Sequence, residues 1–228
     1  MESNRKLCLK QQTELRKVLA GGEHHKGAMA MFFNQHAMLH SAKVVQAELG
    51  AGPVWSFEDD ILDDLAEERM RLIPRSREHS IAWCIWHAAR IEDVAMNILI
   101  AGEPQILEDD DWLKRLAITV RHTGNAMDKA EVAELSDEID IEALRAYRVG
   151  VGRHTREIVR ELGPEVLKQK VDPSRIQRVL DEGALAEAAR GIAEYWSRRD
   201  IAGLLLMPAT RHNLVHLNEA LDLKNRRQ

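Results

Sequence analysis

The chain lacks most of the features that mark other protein classes. Only two cysteines, Cys8 and Cys84, occur in 228 residues. They lie far apart and outside any CxxC, which leaves no disulfide framework and fits reduced thiols of a cytoplasmic protein. Aromatic residues make up 4%, too few for a β-sandwich, whose strands draw on Tyr, Phe and Trp. No apolar run approaches membrane-spanning length, and Met1-Glu-Ser-Asn-Arg-Lys6 leads into no apolar signal segment. Neither charge sign dominates: 32 Lys and Arg stand against 37 Asp and Glu, a net −5. With no basic stripe and no basic/aromatic alternation, nucleic acid is excluded as the main partner.

Catalytic signatures are missing too. There is no GxSxG and no Walker A sequence. The absence of HExxH and ExxH argues against a zincin and against a di-iron carboxylate bundle. Gly150-Val-Gly152 has Thr155 where a dinucleotide loop needs its third glycine, and it lies within a helical pattern.

What the chain does have is helical periodicity. Ser3 to Ala20 carries a narrow apolar stripe and is closed by Gly21-Gly22. A stronger helix is expected from Gly27 to Leu49, stopped by Gly50-Ala-Gly-Pro53. Phe57 to Ile73 is acidic at its start and basic at its end, the order a helix dipole favours. His79 to Ala101 follows, with Trp83, His87, Ile91, Val94 and Ile98 in phase and Gly102 and Pro104 closing it. A helix starting at Asp109-Asp-Asp111 should reach His122. Thr123 to Asp140 reads as a loop with a short helical piece. Ile141 to Leu162 is helical, Asp172-Pro173 caps a short helix over Ser174 to Asp181, and another spans Ala184 to Arg199.

Asp200 caps the last helix, to Leu223, which Pro208 should kink by leaving the Leu204 carbonyl without its usual partner. The expected fold is all-α, one domain over residues 1–228. The helices beginning near Gly27, His79, Ile141 and Asp200 form an antiparallel four-helix bundle, with the others peripheral.

Two histidine pairs have four-residue spacing, His36/His40 and His212/His216. That spacing puts both imidazoles on one helix face, and neutral imidazole is a common ligand for zinc and related ions. His212 and His216 continue the inward stripe of Leu205, Ala209, Ala220 and Leu223. A buried imidazole pair without partners is costly, and a metal satisfies both. His87 is the inward residue of its own helix, beside Trp83 and Trp86. Three histidines match an open catalytic site, with one position left for water or substrate. The alternative is three separately satisfied histidines. His36 and His40 have phase but no evident third ligand, which assigns them to the pocket wall or to support behind the ligands. Glu92 and Asp93 could orient ligands, although exposed charges are commoner at such places.

Two stretches, Ser80-Ile-Ala-Trp-Cys-Ile-Trp-His-Ala-Ala-Arg-Ile-Glu-Asp93 and the closing His212-x-x-x-His216 helix, resemble the DinB-like (YfiT-like) metalloenzyme superfamily. The resemblance implies a four-helix bundle with a divalent metal, zinc or nickel, held by one histidine of the second bundle helix and two of the last. Residue by residue, these are His87, His212 and His216. It also implies a small-molecule substrate, a low-molecular-weight thiol in relatives that transfer or isomerise thiol adducts, and a hydrolase in others. Association as a homodimer is left open. The second reading is a non-catalytic bundle that binds a small molecule or a protein, with the metal structural or absent.

Overall fold

The computed structural model describes residues 2–21, 25–46, 55–109 and 111–226. Among them there is no strand, and one isolated bridge joins Lys170 to Asp200. The elements are α1 (Glu2–Gly21), α2 (His25–Leu39), α3 (Phe57–Leu62), α4 (Glu67–Arg71), α5 (Ile81–Asp93), α6 (Trp112–Arg115), α7 (Lys129–Glu138), α8 (Ile141–Glu161), α9 (Pro173–Asp181), α10 (Arg190–Ser197), α11 (Ile201–Leu206) and α12 (Asn213–Asn225). A π-helical stretch, Val94–Ala101, continues α5, and a second, Met207–His212, joins α11 to α12.

The four expected bundle elements do meet. α12 packs on α5, α5 on α8, and α2 touches α8, α12 and the Met207–His212 turn. All thirteen residues of α5 are buried, because neighbours cover it on every side. Two apolar clusters fill the interior. One surrounds Trp83, Trp86 and Tyr147, and the other surrounds Phe32, Val94 and Trp196. Transfer of such side chains from water is worth about 1.5–3 kcal/mol each. The bundle is therefore held mainly by burial along these stripes. Among the described residues no helix is long and apolar enough to cross a membrane.

Local chemistry sets the ends. Ser80 caps α5 by accepting from Trp83 N at 2.9 Å, and Gly102, at φ 78°, closes its π-helical extension in the left-handed region. Asp172 and Asp200 cap α9 and α11 as their sequence places suggest.

Several expected boundaries change. Phe57 to Ile73 is two short helices, because Asp64 takes a positive φ of 61° between them. The helix expected from Asp109 to His122 shrinks to α6, ending before Ala117 at φ 56°. α2 ends at Leu39 rather than Leu49, with a short 3-10 turn at Ala42–Val44. The expected stop at residues 50–53 lies outside the described residues. In the stretch expected to be mostly loop, α7 is a ten-residue helix with a complete capping box between Asp128 and Glu131.

Candidate metal centre

The kinked last helix builds one wall of the site. Pro208 has no N–H to give, and the chain widens there into a π-helical turn. The Thr210 hydroxyl takes up the slack by donating to Leu206 O at 2.8 Å, and Asn213 Nδ2 donates to Pro208 O and Ala209 O at 3.2 Å. Pro208 therefore sits in a widened turn, in which side chains serve the carbonyls of Leu206, Pro208 and Ala209.

This turn and α12 present His212 and His216 toward His87 of α5. The ring centroids stand 4.9 Å apart for His87 and His212, 4.8 Å for His87 and His216, and 4.5 Å for His212 and His216. One ring nitrogen from each lies within 4.8 Å of the other two. An ion with bonds of about 2.1 Å would hold such nitrogens about 3.4 Å apart. A small inward movement of half-buried side chains covers the difference.

Hydrogen bonds fix which nitrogen is free. His87 Nδ1 bonds to the carbonyl oxygen of Thr123, so it carries the proton and Nε2 keeps its lone pair. His216 Nδ1 donates to Glu219 Oε2 at 3.1 Å. The other Glu219 oxygen accepts from His79 Nδ1 at 2.8 Å. Carboxylate or carbonyl support behind a histidine is the usual companion of a metal ligand. His212 Nδ1 is buried with no partner in the protein.

Electrostatics agrees with neutral rings. Burial, reinforced by the neighbouring His216, pushes the His87 pKa down to about 3. Burial together with His87 and His216 holds His212 well below the usual histidine value. Burial alone would raise the Glu219 carboxyl, but the bonds from His216 and His79 outweigh it and lower its pKa. Converging imidazoles, with His87 and His212 held neutral, fit a divalent cation. His87 is 3% exposed, whereas His212 and His216 are half-buried and form the side nearer solvent.

Trp83 lies against the site. It stacks on His87 at 4.5 Å and on His79 at 3.7 Å, and meets His216 edge-on. Trp86 is fully buried in the core, where a Cβ on Gly124 would stand 2.6 Å from its ring.

The other histidine pair belongs to a neighbouring cluster, joined to the last helix beside His212 through Asn213 and Glu92. His36 and His40 are fully buried and stacked at 3.9 Å. The third group that the spacing did not reveal is Glu92. It is fully buried, and its two carboxylate oxygens lie 2.9 Å from His36 Nε2 and His40 Nε2. Its neighbour Asp93 is buried as well, so neither is the exposed charge that composition favours. A signal for both was present in the sequence. The run Ile81 to Ile100 is apolar on all faces, and charges inside such a helix must be paired.

The backbone of α8 closes on His40: a Cβ at Gly152 would meet its ring at 2.8 Å and Val44 at 3.1 Å. Gly152→Ala should therefore lower stability by about 1–3 kcal/mol through overpacking, read from the urea midpoint. An unchanged midpoint would mean that the ring yields freely.

The sequence model of the DinB superfamily matches residues 59–220, which include His87, His212 and His216. Among curated proteins none matches the chain.

Proposed function

Since the chain belongs to the DinB superfamily, we propose that His87, His212 and His216 hold one divalent metal ion, zinc or nickel, in an enzyme acting on small molecules. Its class is a transferase or isomerase that uses a low-molecular-weight thiol, or a hydrolase. One observation supports the reading above the rest: three imidazoles converge, two with Nδ1–H engaged behind them and one with a buried nitrogen that has no partner. When bound, the ion supplies Lewis acidity and lowers the pKa of a water or thiol in its open position. The chain's own part is to fix the ligands. Thr123 holds His87, Glu219 holds His216, and Trp83 walls the site on one side.

A structural ion is the second reading, favoured by the burial of His87 at 3% exposure. A chelator separates the two. For the enzyme, thiol-dependent turnover is lost while far-UV circular dichroism keeps its helical signal. For a structural ion, the helical signal collapses with the metal.

Glu219→Gln supplies a finer test. It keeps the side chain's shape but removes the charge behind His216, and should weaken metal binding about 10–100-fold, measured by competition with a chromophoric chelator. Unchanged affinity would remove Glu219 from the site.

A further inference from the structure

The His36–His40–Glu92 cluster poses a hydrogen-bonding problem that protein groups in their ordinary protonation states do not solve. His40 Nδ1 lies 3.0 Å from the carbonyl oxygen of His36, at the end of α2, and only a ring N–H can bond there. In the neutral ring Nε2 then carries a lone pair. That lone pair faces Glu92 Oε2 at 2.9 Å, an acceptor set against a carboxylate in a place no water reaches. The same Glu92 oxygen already accepts from Asn213 Nδ2 at 2.8 Å. His36 Nδ1 has no hydrogen-bond partner. A positive centre is needed between the two rings and the carboxylate.

We propose that His36, His40 and Glu92 hold a second divalent transition-metal ion, separate from the one at the three-histidine site. Two imidazole nitrogens and a carboxylate are a ligand set that zinc, cobalt, nickel and manganese accept. Spacing agrees. One donor atom from each of the three residues lies within 4.8 Å of the other two, against the about 3.4 Å that tetrahedral bonds of about 2.1 Å require. The side chains need little movement; the ion takes the place of protons.

All three ligands are fully buried, so this ion is a structural staple rather than a reaction centre. It ties the end of α2 to α5. Asn213 extends the hold to the last helix, next in the chain to His212, so the staple also steadies one wall of the three-histidine site.

The decisive experiment counts metal on the full-length protein, stripped with chelator, reloaded with Co²⁺ and desalted. The wild type should retain two equivalents by elemental analysis. His212→Ala with His216→Ala should retain one, as should Glu92→Gln. Two equivalents in Glu92→Gln would overturn the proposal. So would one equivalent in the wild type together with none in the His212/His216 variant; that pattern means the positive centre is a second proton on His40. One equivalent in the wild type that survives the His212/His216 double substitution would instead leave this proposal standing and remove the three-histidine site. Should Glu92→Gln fail to fold, the comparison of wild type with the His212/His216 variant still decides.

Discussion

Asp93→Ala is expected to cost the fold about 3–5 kcal/mol, because it strands a buried arginine. The Asp93 carboxylate accepts from Arg90 Nη1 at 2.7 Å, from the Tyr147 hydroxyl, from Asn97 Nδ2 at 2.7 Å and from the backbone N–H groups of Ile106 at 2.8 Å and Leu107 at 3.2 Å. Arg90 also donates to Gln105 and to the carbonyl of Arg121, and it is wholly enclosed. Without Asp93 the guanidinium keeps its charge and loses its only anionic partner in that network, while two backbone donors lose their acceptor. Urea unfolding at neutral pH measures the loss. Pairing Asp93→Ala with Arg90→Met should recover part of it, since the uncompensated charge is then gone. A loss under about 1 kcal/mol for the single substitution would show that water reaches the site and that the charge network is not closed.

The second large effect is acid lability of the metal-free protein. Burial holds His87 and His36 neutral, each with its pKa lowered to about 3 from an ordinary 6.5. Between those values the unfolded chain binds more protons than the folded one, so stability rises with pH there. The contribution is fully present above about pH 6.5 and is lost as the pH falls toward 3. Each group changes stability by up to about 1.4 kcal/mol per pH unit. The two together should remove about 4 kcal/mol between pH 7 and pH 5. Glu92, whose carboxyl is held low by His40 and His36 against the effect of burial, adds to the loss only at lower pH. Denaturant midpoints at the two pH values test this, and a flat profile would mean that the rings are already protonated or reached by water.

How much of this was legible in the sequence differs from element to element. The bundle helices were, because their apolar stripes are long; glycine and proline also mark where α8 and the extension of α5 stop, whereas α2 ends at Leu39 with neither. His87, His212 and His216 could be singled out because phase alone carries a residue to the inward face. Short elements were not legible. Asp64, Asp111 and Ala117 adopt positive φ without being glycine, so nothing in their side chains announces the break. The pairing of Glu92 escaped for another reason. Its partners His36 and His40 come from a helix more than fifty positions earlier, and a one-dimensional pattern holds no record of which face of α2 meets which face of α5. Thr123 contributes through its carbonyl oxygen, which every residue has, so no reading of side chains could select it.

The widened turn at Met207–His212 has a consequence for how this chain can vary. A π-helical turn holds one residue more than the α-helical turn it replaces, and each residue swings a helix by about 100°. Removing a single residue there would let the backbone relax into regular α-helix while α11 and α12 kept their own sequences. Because the widened turn absorbs its extra residue locally, α12 would keep nearly the same phase relative to α11, and His216 would still turn toward His87. The same deletion in regular helix has no such buffer and rotates everything beyond it by about 100°. Deletion of Pro208 should therefore leave a helical protein that still binds metal, with loss of binding as the result that would overturn this reading.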